Sequence, residues 1–283
     1  MKLSVIIVSW NTRDLLAQTL STLRVALEGI VAQVFVVDNA STDGSPHMVE
    51  KDFPFVVLIR NEINEGFAKA NNKALPITTG EYILLLNSDT IVEKDAIRTL
   101  VRFLDEHPHI GMIGPKVLNI DGTFQHASRR ALPTPQNAFA YLFGVKKLCR
   151  KSTLASEYKN ENKNPDDEGP AQALSGAVMM FRRSVYEAIG GLDEDFFMYG
   201  EDLDFCKRAR DARFAIWYVP SAHIVHIGGQ SSKKRSRASR KNFYDAMWLY
   251  YKKHLYKNHW RLFSALVYIG IKVRYYVACV LGK

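Results

Sequence analysis

Ile83-Leu84-Leu85-Leu86-Asn87-Ser88-Asp89-Thr90 is the stretch whose reading decides the fold. Four apolar residues run without a break into three small polar ones, the pattern of a strand buried on both faces of a parallel sheet. The strand stops at Asn87, and in open α/β sheets ligands bind just beyond the carboxyl ends of the strands. Asn87, Ser88 and Asp89 therefore belong to the floor of a site. There Asp89 would hold a hard cation through oxygen, as cations that also bind substrate phosphates are held. Asn, Ser and Asp are also favoured helix N-caps, so capping of the next helix competes with the ligand reading.

The flanking sequence repeats the pattern. Leu3-Ser4-Val5-Ile6-Ile7-Val8-Ser9-Trp10 reads as a first buried strand, and Asn11-Thr12 opens a helix to about Leu27 with Leu15, Leu16, Leu20 and Leu23 along it. Val34-Phe35-Val36-Val37-Asp38 is a second strand, ending in a turn-rich loop to Ser45. Val56 to Ile59 is a third strand, residues 68–75 read as helix, and residues 82–86 are the fourth strand. Strands alternating with helices predict an α/β fold with a mostly parallel sheet flanked by helices. Neither GxGxxG after the first strand nor GxxxxGK[ST] is present, which argues against dinucleotide and P-loop sites. Asp38, at a strand end, is either a nucleoside contact or a turn residue; Asp43 in the same loop reads as a turn residue.

The chain has 283 residues and a net charge of +9. Residues 230–283 hold 13 Lys and Arg against one acid, Asp245, leaving 25 basic and 28 acidic residues elsewhere. The basic character belongs to the tail, which would meet nucleic acid or an anionic membrane surface. Three separated cysteines, Cys149, Cys206 and Cys279, make no CxxC pair and no disulfide framework, which points to a reducing compartment. The N-terminus runs straight into a strand pattern without the marks of a signal peptide, so a cytoplasmic location is expected.

Beyond the fourth strand, residues 91–107 read as an amphipathic helix, Ile110 to Val117 as a short strand and Asn119-Ile120-Asp121-Gly122-Thr123 as a hairpin turn. Residues 129–170 have little periodicity, with a polar loop over 159–169. Residues 174–182 form a strand, and a short helix follows to Ile189-Gly190-Gly191. The next run, 192–206, carries six carboxylates among aromatics. Glu201, Asp202 and Asp204 fall at a helix N-terminus, which stabilises acids, and one carboxylate held there can be a general base. A solvated acidic loop is the competing reading. After a strand over 214–220, His223 and His226 stand three apart, so on a strand they point to opposite faces and do not share an ion.

Three blocks carry a resemblance: Val5-Ile6-Ile7-Val8-Ser9-Trp10-Asn11, Val37-Asp38-Asn39-Ala40-Ser41-Thr42-Asp43-Gly44-Ser45, and Asn64-Glu65-Gly66-Phe67-Ala68-Lys69-Ala70-Asn71-Asn72. Together they resemble family 2 glycosyltransferases, in the rhamnosyltransferase-like branch. The resemblance implies a GT-A fold over residues 1–229, with a nucleotide-sugar half (1–115) and an acceptor half (116–229), followed by a basic tail (230–283). It implies donor contacts at Asn11, Asp38, Asn39, Asn64, Gly66, Asn71, Asn87, Ser88 and Asp89. Asn87-Ser88-Asp89 stands where the family has Asp-x-Asp; the first Asp is Asn here, leaving Asp89 as the metal ligand. Gly200-Glu201-Asp202-Leu203-Asp204 is similar to the family's Gly-Glu-Asp-x-Asp. By that match Asp202 is the catalytic base, Glu201 supports it or contacts the acceptor, and Asp204 is structural. His226, just ahead of Gly228-Gly229-Gln230-Ser231, matches a metal-ligating His, while Lys233, Lys234 and Arg235 would close over a diphosphate. Carboxylate with imidazole suits Mn²⁺, or Mg²⁺.

The implied activity is inverting, metal-dependent transfer of a sugar, rhamnose from dTDP-rhamnose first, onto a cell-surface or lipid-linked glycan. Another UDP- or GDP-hexose donor is the nearest alternative, and a non-catalytic sugar-nucleotide-binding scaffold is a second. The tail bears on the acceptor. Residues 243–259 read as a helix rich in Tyr and Trp, and residues 262–281 are apolar apart from Lys272 and Arg274. Each cation at mid-membrane costs about 2.5–3.5 kcal/mol, so a helix lying in the interface of an anionic membrane is expected. A helical pair packed on the catalytic domain is the alternative. The acidic body and the lack of a nucleic-acid-binding signature argue against nucleic acid. The expected location is cytoplasmic, peripheral on the inner face of the cell membrane.

Overall fold

The computed structural model describes residues 1–134, 164–228 and 237–280. Lys233, Lys234 and Arg235, and residues 159–163 of the loop over 159–169, lie outside the described residues. Four strands form the parallel half of the main sheet: β1 (Leu3–Ser9), β2 (Ala32–Asp38), β3 (Val56–Arg60) and β4 (Tyr82–Asn87), in the order β3-β2-β1-β4. They are linked by α1 (Arg13–Ala26), α2 (Ser45–Asp52) and α3 (Phe67–Ala74). The sheet continues from β4 through β10 (Val178–Arg182), β6 (Ile110–Leu118), β11 (Ala215–His226) and β5 (Thr90–Val92). β10 runs antiparallel to both neighbours, β4 and β6, while β6 and β11 are parallel. Most strands thus share one direction, and β10 is the reversed strand that joins the two halves. Of three short strands at the margin, β7 (Arg129–Arg130) pairs with β9 (Ala173–Leu174), and β8 (Gly169–Pro170) pairs with β11.

Side chains alternate across the strands and build two apolar layers. On one face Val5, Ile7, Leu84 and Leu86 pack with Leu16, Leu20 and Leu23 of α1 and with Ile97, Leu100 and Leu104 of α4 (Ala96–Glu106). On the other, Ile6, Ile83 and Leu85 pack with Ala68 and Ala74 of α3 and with Phe205 and Cys206 of α6 (Glu201–Asp211). A short helix, α5 (Arg183–Ile189), follows β10. Each large side chain so buried contributes roughly 1.5–3 kcal/mol, which is why these unbroken apolar runs become central strands. Burial also pushes the Cys206 thiol up to about 12, so this cysteine behaves as a packing residue.

The hairpin turn at Asn119 forms as the sequence indicates: Asn119 N–H donates to Thr123 O at 2.7 Å, and Gly122 takes a φ of +79°. Several elements differ from the sequence reading. The helix expected over 91–107 begins only at Ala96, because residues 90–92 form β5 against β11, and the strand expected over 174–182 is split by a turn into β9 and β10. The strand expected over 214–220 runs on unbroken to His226, with a register irregularity against β6 between Val219 and His223. The aromatic tail helix, α7 (Arg237–His254), starts and ends earlier than its aromatic residues suggest.

The tail also docks differently. Ala246 and Tyr250 of α7 are buried in the second core layer. His254 Nε2 lies 2.7 Å from Asp204 Oδ1, and Lys253 reaches Asp193 and Asp195 at 2.6 Å each. The helical pair packed on the domain, the alternative in the sequence, therefore describes α7. The last helix, α8 (Arg261–Val280), packs on α7 through Ile271, Ala278 and the Tyr251–Ser264 hydroxyl pair. Lys272 faces inward and pairs with Asp245 at 3.2 Å. The outward side of α8 carries Leu262, Leu266, Ile269, Val273, Tyr276 and Val280, between 49% and 85% exposed. By length and composition α8 is apolar enough to cross a membrane.

Candidate active site

Two polar clusters lie beyond the carboxyl end of β4. The first is assembled by strand pairing. β11 runs antiparallel to β5, with His226 opposite Thr90. This brings His226 Nε2 to 3.1 Å from Asp89 Oδ1 and 3.3 Å from Asn87 Nδ2. His223 lies three residues back, by Glu93 at 3.4 Å. The two histidines thus serve different neighbours, as their spacing requires. Ser88 is held from below, where Thr12 Oγ1 donates to its Oγ at 3.0 Å.

The second cluster is at the start of α6. Glu201, Asp202 and Asp204 are all buried. Asp202 Oδ2 accepts from Gly176 N–H at 3.0 Å and from the Arg130 guanidinium, while Oδ1 accepts from Leu203 N–H at 2.7 Å. Asp204 is 1% exposed and lies between Arg208 and His254. Burial would raise its pKa, but the hydrogen bonds from His254 and Arg208 outweigh burial and hold it below the usual carboxylate range. Its role is to fasten α7 to α6.

The clusters are joined by two adjacent residues. Ala177 O accepts from Asn87 N–H at 2.9 Å, and Gly176 N–H is the donor to Asp202. One turn before β10 thus spans from the end of β4 to the carboxylates of α6.

The remaining sequence-derived donor residues fall beside β1, β2 and α3. Asp38 is 3% exposed; its Oδ2 accepts from Ser41 N–H, and its Oδ1 is buried with no hydrogen-bond partner among the described residues. An unpaired buried carboxylate oxygen is costly unless a ligand supplies a donor. Asn11, at a φ of +52°, uses its side-chain oxygen to accept from Thr42 N–H. Asn39, Asn64 and Asn71 are engaged with the chain itself. Asn39 donates to Gly66 O and accepts from Asn61, Asn64 accepts from Gly66 N–H, and Asn71 donates to Phe67 O. Gly66 has a φ of +84°, and a Cβ there would collide with the Phe197 carbonyl, which accepts from Phe67 N–H. The three asparagines thus hold the chain around Gly66, and the bare glycine lets Phe197 lie close against the start of α3.

The model for glycosyl transferase family 2 matches residues 4–190, more than half of the chain. The chain belongs to glycosyl transferase family 2. A second model, described as the N-terminal domain of galactosyltransferase, matches residues 157–229. Among curated relatives, an N-acetylglucosaminyl-diphospho-decaprenol L-rhamnosyltransferase of Mycobacterium tuberculosis is 28% identical over 241 residues, covering 81% of this chain and 77% of that protein. Among solved structures, the mannosyltransferase PcManGT from Pyrobaculum calidifontis, in complex with GDP-Man and Mn²⁺, matches with a TM-score of 0.62 and 17% identity, over 100% of this chain and 76% of that one. TarS of S. aureus (residues 1–349) matches with a TM-score of 0.58 and 20% identity, over 98% and 72%. The protein is a glycosyltransferase of GT-A fold.

In this family 2 enzyme several site residues were not legible in sequence. Gln125 and Arg130 touch His226 and Asp202 from 101 and 72 residues away, and Gly176-Ala177 bridges the clusters. A small-residue turn before an apolar strand was the only local mark of that bridge. Among the described residues, no three His, Cys, Asp or Glu side chains gather to hold a metal unaided. Asp89 and His226 still fit one as a pair. His226 Nε2 and Asp89 Oδ1 converge to 3.1 Å, while Nδ1 lies 3.0 Å from Gln125 Oε1. An imidazole nitrogen and a carboxylate oxygen so placed are donors that a divalent cation takes.

Glu201 differs from its neighbour. Burial, with the Asp202 charge second, pushes it up to about 8, and its Oε2 has no hydrogen-bond partner among the described residues. Burial and the neighbouring carboxylate thus both favour the neutral carboxyl. A raised pKa means that its contribution is complete below the ordinary value near 4.5 and is lost as pH rises towards 8. Glu201→Gln, which cannot ionise, is expected to gain in melting temperature over the parent as pH goes from about 5 to about 8.5. A difference that stays constant with pH would contradict the neutral, buried carboxyl.

Proposed function

We propose that this family 2 enzyme transfers a hexose, rhamnose from dTDP-rhamnose first, onto a lipid-linked glycan at an anionic membrane, with inversion. The observation that carries this reading is the Gly176-Ala177 turn, which ties Asn87 to Asp202. It supports a donor diphosphate at Asn87, Ser88, Asp89 and His226, with the acceptor hydroxyl beside Asp202. The name of the mycobacterial relative, an L-rhamnosyltransferase acting on a diphospho-decaprenol sugar, favours a deoxyhexose donor and a polyprenyl acceptor. UDP- and GDP-hexoses remain the alternative donors.

In this reading Asp38 Oδ1 accepts from the nucleoside base, the group that its buried, unpaired oxygen calls for. Asp89 and His226 would hold a divalent cation, Mn²⁺ or Mg²⁺. When bound, such an ion supplies positive charge to the leaving diphosphate. Asp202, oriented by Gly176 and Leu203 N–H groups, takes the acceptor hydroxyl proton as that oxygen bonds to the anomeric carbon and the bond from carbon to diphosphate oxygen breaks. Neutral Glu201 is left as a hydrogen-bond donor towards the acceptor.

The outward face of α8 would lie in the headgroup layer. It carries no acid, and Arg261 and Arg274 belong to the same helix, which suits anionic lipid. A 20-residue helix with such a face meets a polyprenyl carrier where the carrier resides.

Transfer is tested with dTDP-rhamnose, UDP- and GDP-hexoses and polyprenyl-diphosphate sugars as acceptors. Asp202→Asn is expected to lower turnover by about 10²–10⁴-fold while nucleotide binding stays within a few-fold of the parent. Comparable turnover by the two proteins would remove Asp202 as the base. For the tail, truncation after Asn242 would strip α7 from the core, so surface substitutions are the cleaner probe. Leu262→Ser, Leu266→Ser and Ile269→Ser combined are expected to abolish co-sedimentation with phosphatidylglycerol vesicles and leave the melting temperature unchanged. Undiminished sedimentation would refute the α8 contact.

A further inference from the structure

We propose that Gln125 is a positioning residue for His226, holding the proton on Nδ1 so that Nε2 stays bare towards Asp89. This rests on the reading of Asp89 and His226 as cation ligands and adds a residue that sets their geometry.

One group in the cluster has a fixed role. A backbone carbonyl only accepts, and His226 O lies 2.8 Å from the Gln125 side-chain nitrogen. That nitrogen also donates to Asn119 Oδ1 at 2.9 Å. Asn119 is itself oriented, because its amide nitrogen donates to Thr123 Oγ1 at 2.8 Å, whose hydroxyl donates in turn to Asp121. The Gln125 amide therefore has one orientation, with Oε1 turned to His226 Nδ1 at 3.0 Å. An amide oxygen cannot donate, so Nδ1 carries the hydrogen. In the neutral imidazole, the form that ligates a cation, Nε2 is then the lone pair.

The hairpin is what makes this hold firm. Asn119 N–H donates to Thr123 O, and Gln125 N–H donates to Val117 O at 2.9 Å, so the backbone of Gln125 is tied to β6. β6 is parallel to β11, with Leu118 opposite Val225, one residue before His226. Gln125 thus grips both the backbone and the ring of a residue on the neighbouring strand. Histidine ligands are oriented in this way when the second ring nitrogen is hydrogen-bonded to an acceptor, and removing that partner typically costs about 10–100-fold in metal affinity. Without it the hydrogen can move to Nε2 and donate to Asp89, and both ligands are then lost to each other.

The test uses the full chain without added metal, and then Mn²⁺. Ring ¹⁵N shifts of His226 at about pH 8, assigned with His226→Gln, are expected to place a proton on Nδ1 in the parent. In Gln125→Leu they are expected to shift towards the Nε2-protonated form. Mn²⁺ binding, read by electron paramagnetic resonance with saturating dTDP, UDP or GDP, is expected to weaken by about 10–100-fold in Gln125→Leu. A parent whose Nδ1 bears no proton, or equal Mn²⁺ affinity in Gln125→Leu, overturns the proposal. A parent that binds no Mn²⁺ defeats the cation reading itself, and the ¹⁵N shifts then decide separately whether Gln125 holds the ring. If Gln125→Leu does not fold, the parent's ring ¹⁵N shifts decide the matter, with an Nδ1 that bears no proton overturning the proposal.

Discussion

The antiparallel pairing of β11 with β5 is the contact on which the site depends. β5 has three residues: Ile224, Val225 and His226 pair along one edge, Thr90 and Val92 N–H groups donate to the Thr19 and Thr22 hydroxyls of α1, and Val92 enters the first core layer. The backbone bond from Ile227 N–H to Asp89 O, at 2.9 Å, closes the end of that ladder. If the ladder slipped by one residue, His226 would turn to the other face, because side chains alternate along a strand. Both sides of β11 guard the register. Ile224 is buried in the first core layer, and Gln125, tied to β6 by its backbone bond to Val117 O, grips His226. Packing that stabilises the sheet and placement of the polar site are here one constraint.

A second constraint runs through Asp204. Its carboxylate is nearly inaccessible and is satisfied by Arg208 on its own helix and His254 on α7. Arg208 also donates to Ile189 O and Gly191 O, which caps the end of α5. The first turn of α6, which carries Glu201 and Asp202, is therefore clamped from both sides. This makes α7 part of the body that orients the carboxylates. Only α8 stands off the body, resting on α7 and leaving a long apolar side uncovered.

The sequence carried the parallel half of the sheet because β1, β2 and β4 are unbroken apolar runs, and such runs have few other stable settings. The spacing of His223 and His226 also carried their separation, one beside Glu93 and the other beside Asp89. The reversed direction of β10 was not legible, since Val178 to Arg182 reads the same in either direction. Nor was the docking of α7: Tyr and Trp at helical spacing suit a membrane interface and a protein surface equally, and the partners that decide, Asp193, Asp195 and Asp204, come from a distant acidic run. Those acids read locally as either a solvated loop or a catalytic segment. The structure divides them, with Asp193 and Asp195 binding Lys253, Asp204 binding His254, and Glu201 and Asp202 left at the site. The side chains of Asn39, Asn64 and Asn71, read as donor contacts from the resemblance, also bond to the chain around Gly66 and Phe67, a role that the sequence did not show.

Titration calorimetry of the full chain with dTDP, UDP and GDP, each with and without Mn²⁺, tests the metal-assisted donor site most directly. Binding of one nucleotide that strengthens about 10-fold or more with Mn²⁺, and loses that gain in Asp89→Ala, is the predicted result. A folded chain that binds none of the three, or binds one equally well with and without the ion and in Asp89→Ala, would contradict such a site at the end of β4.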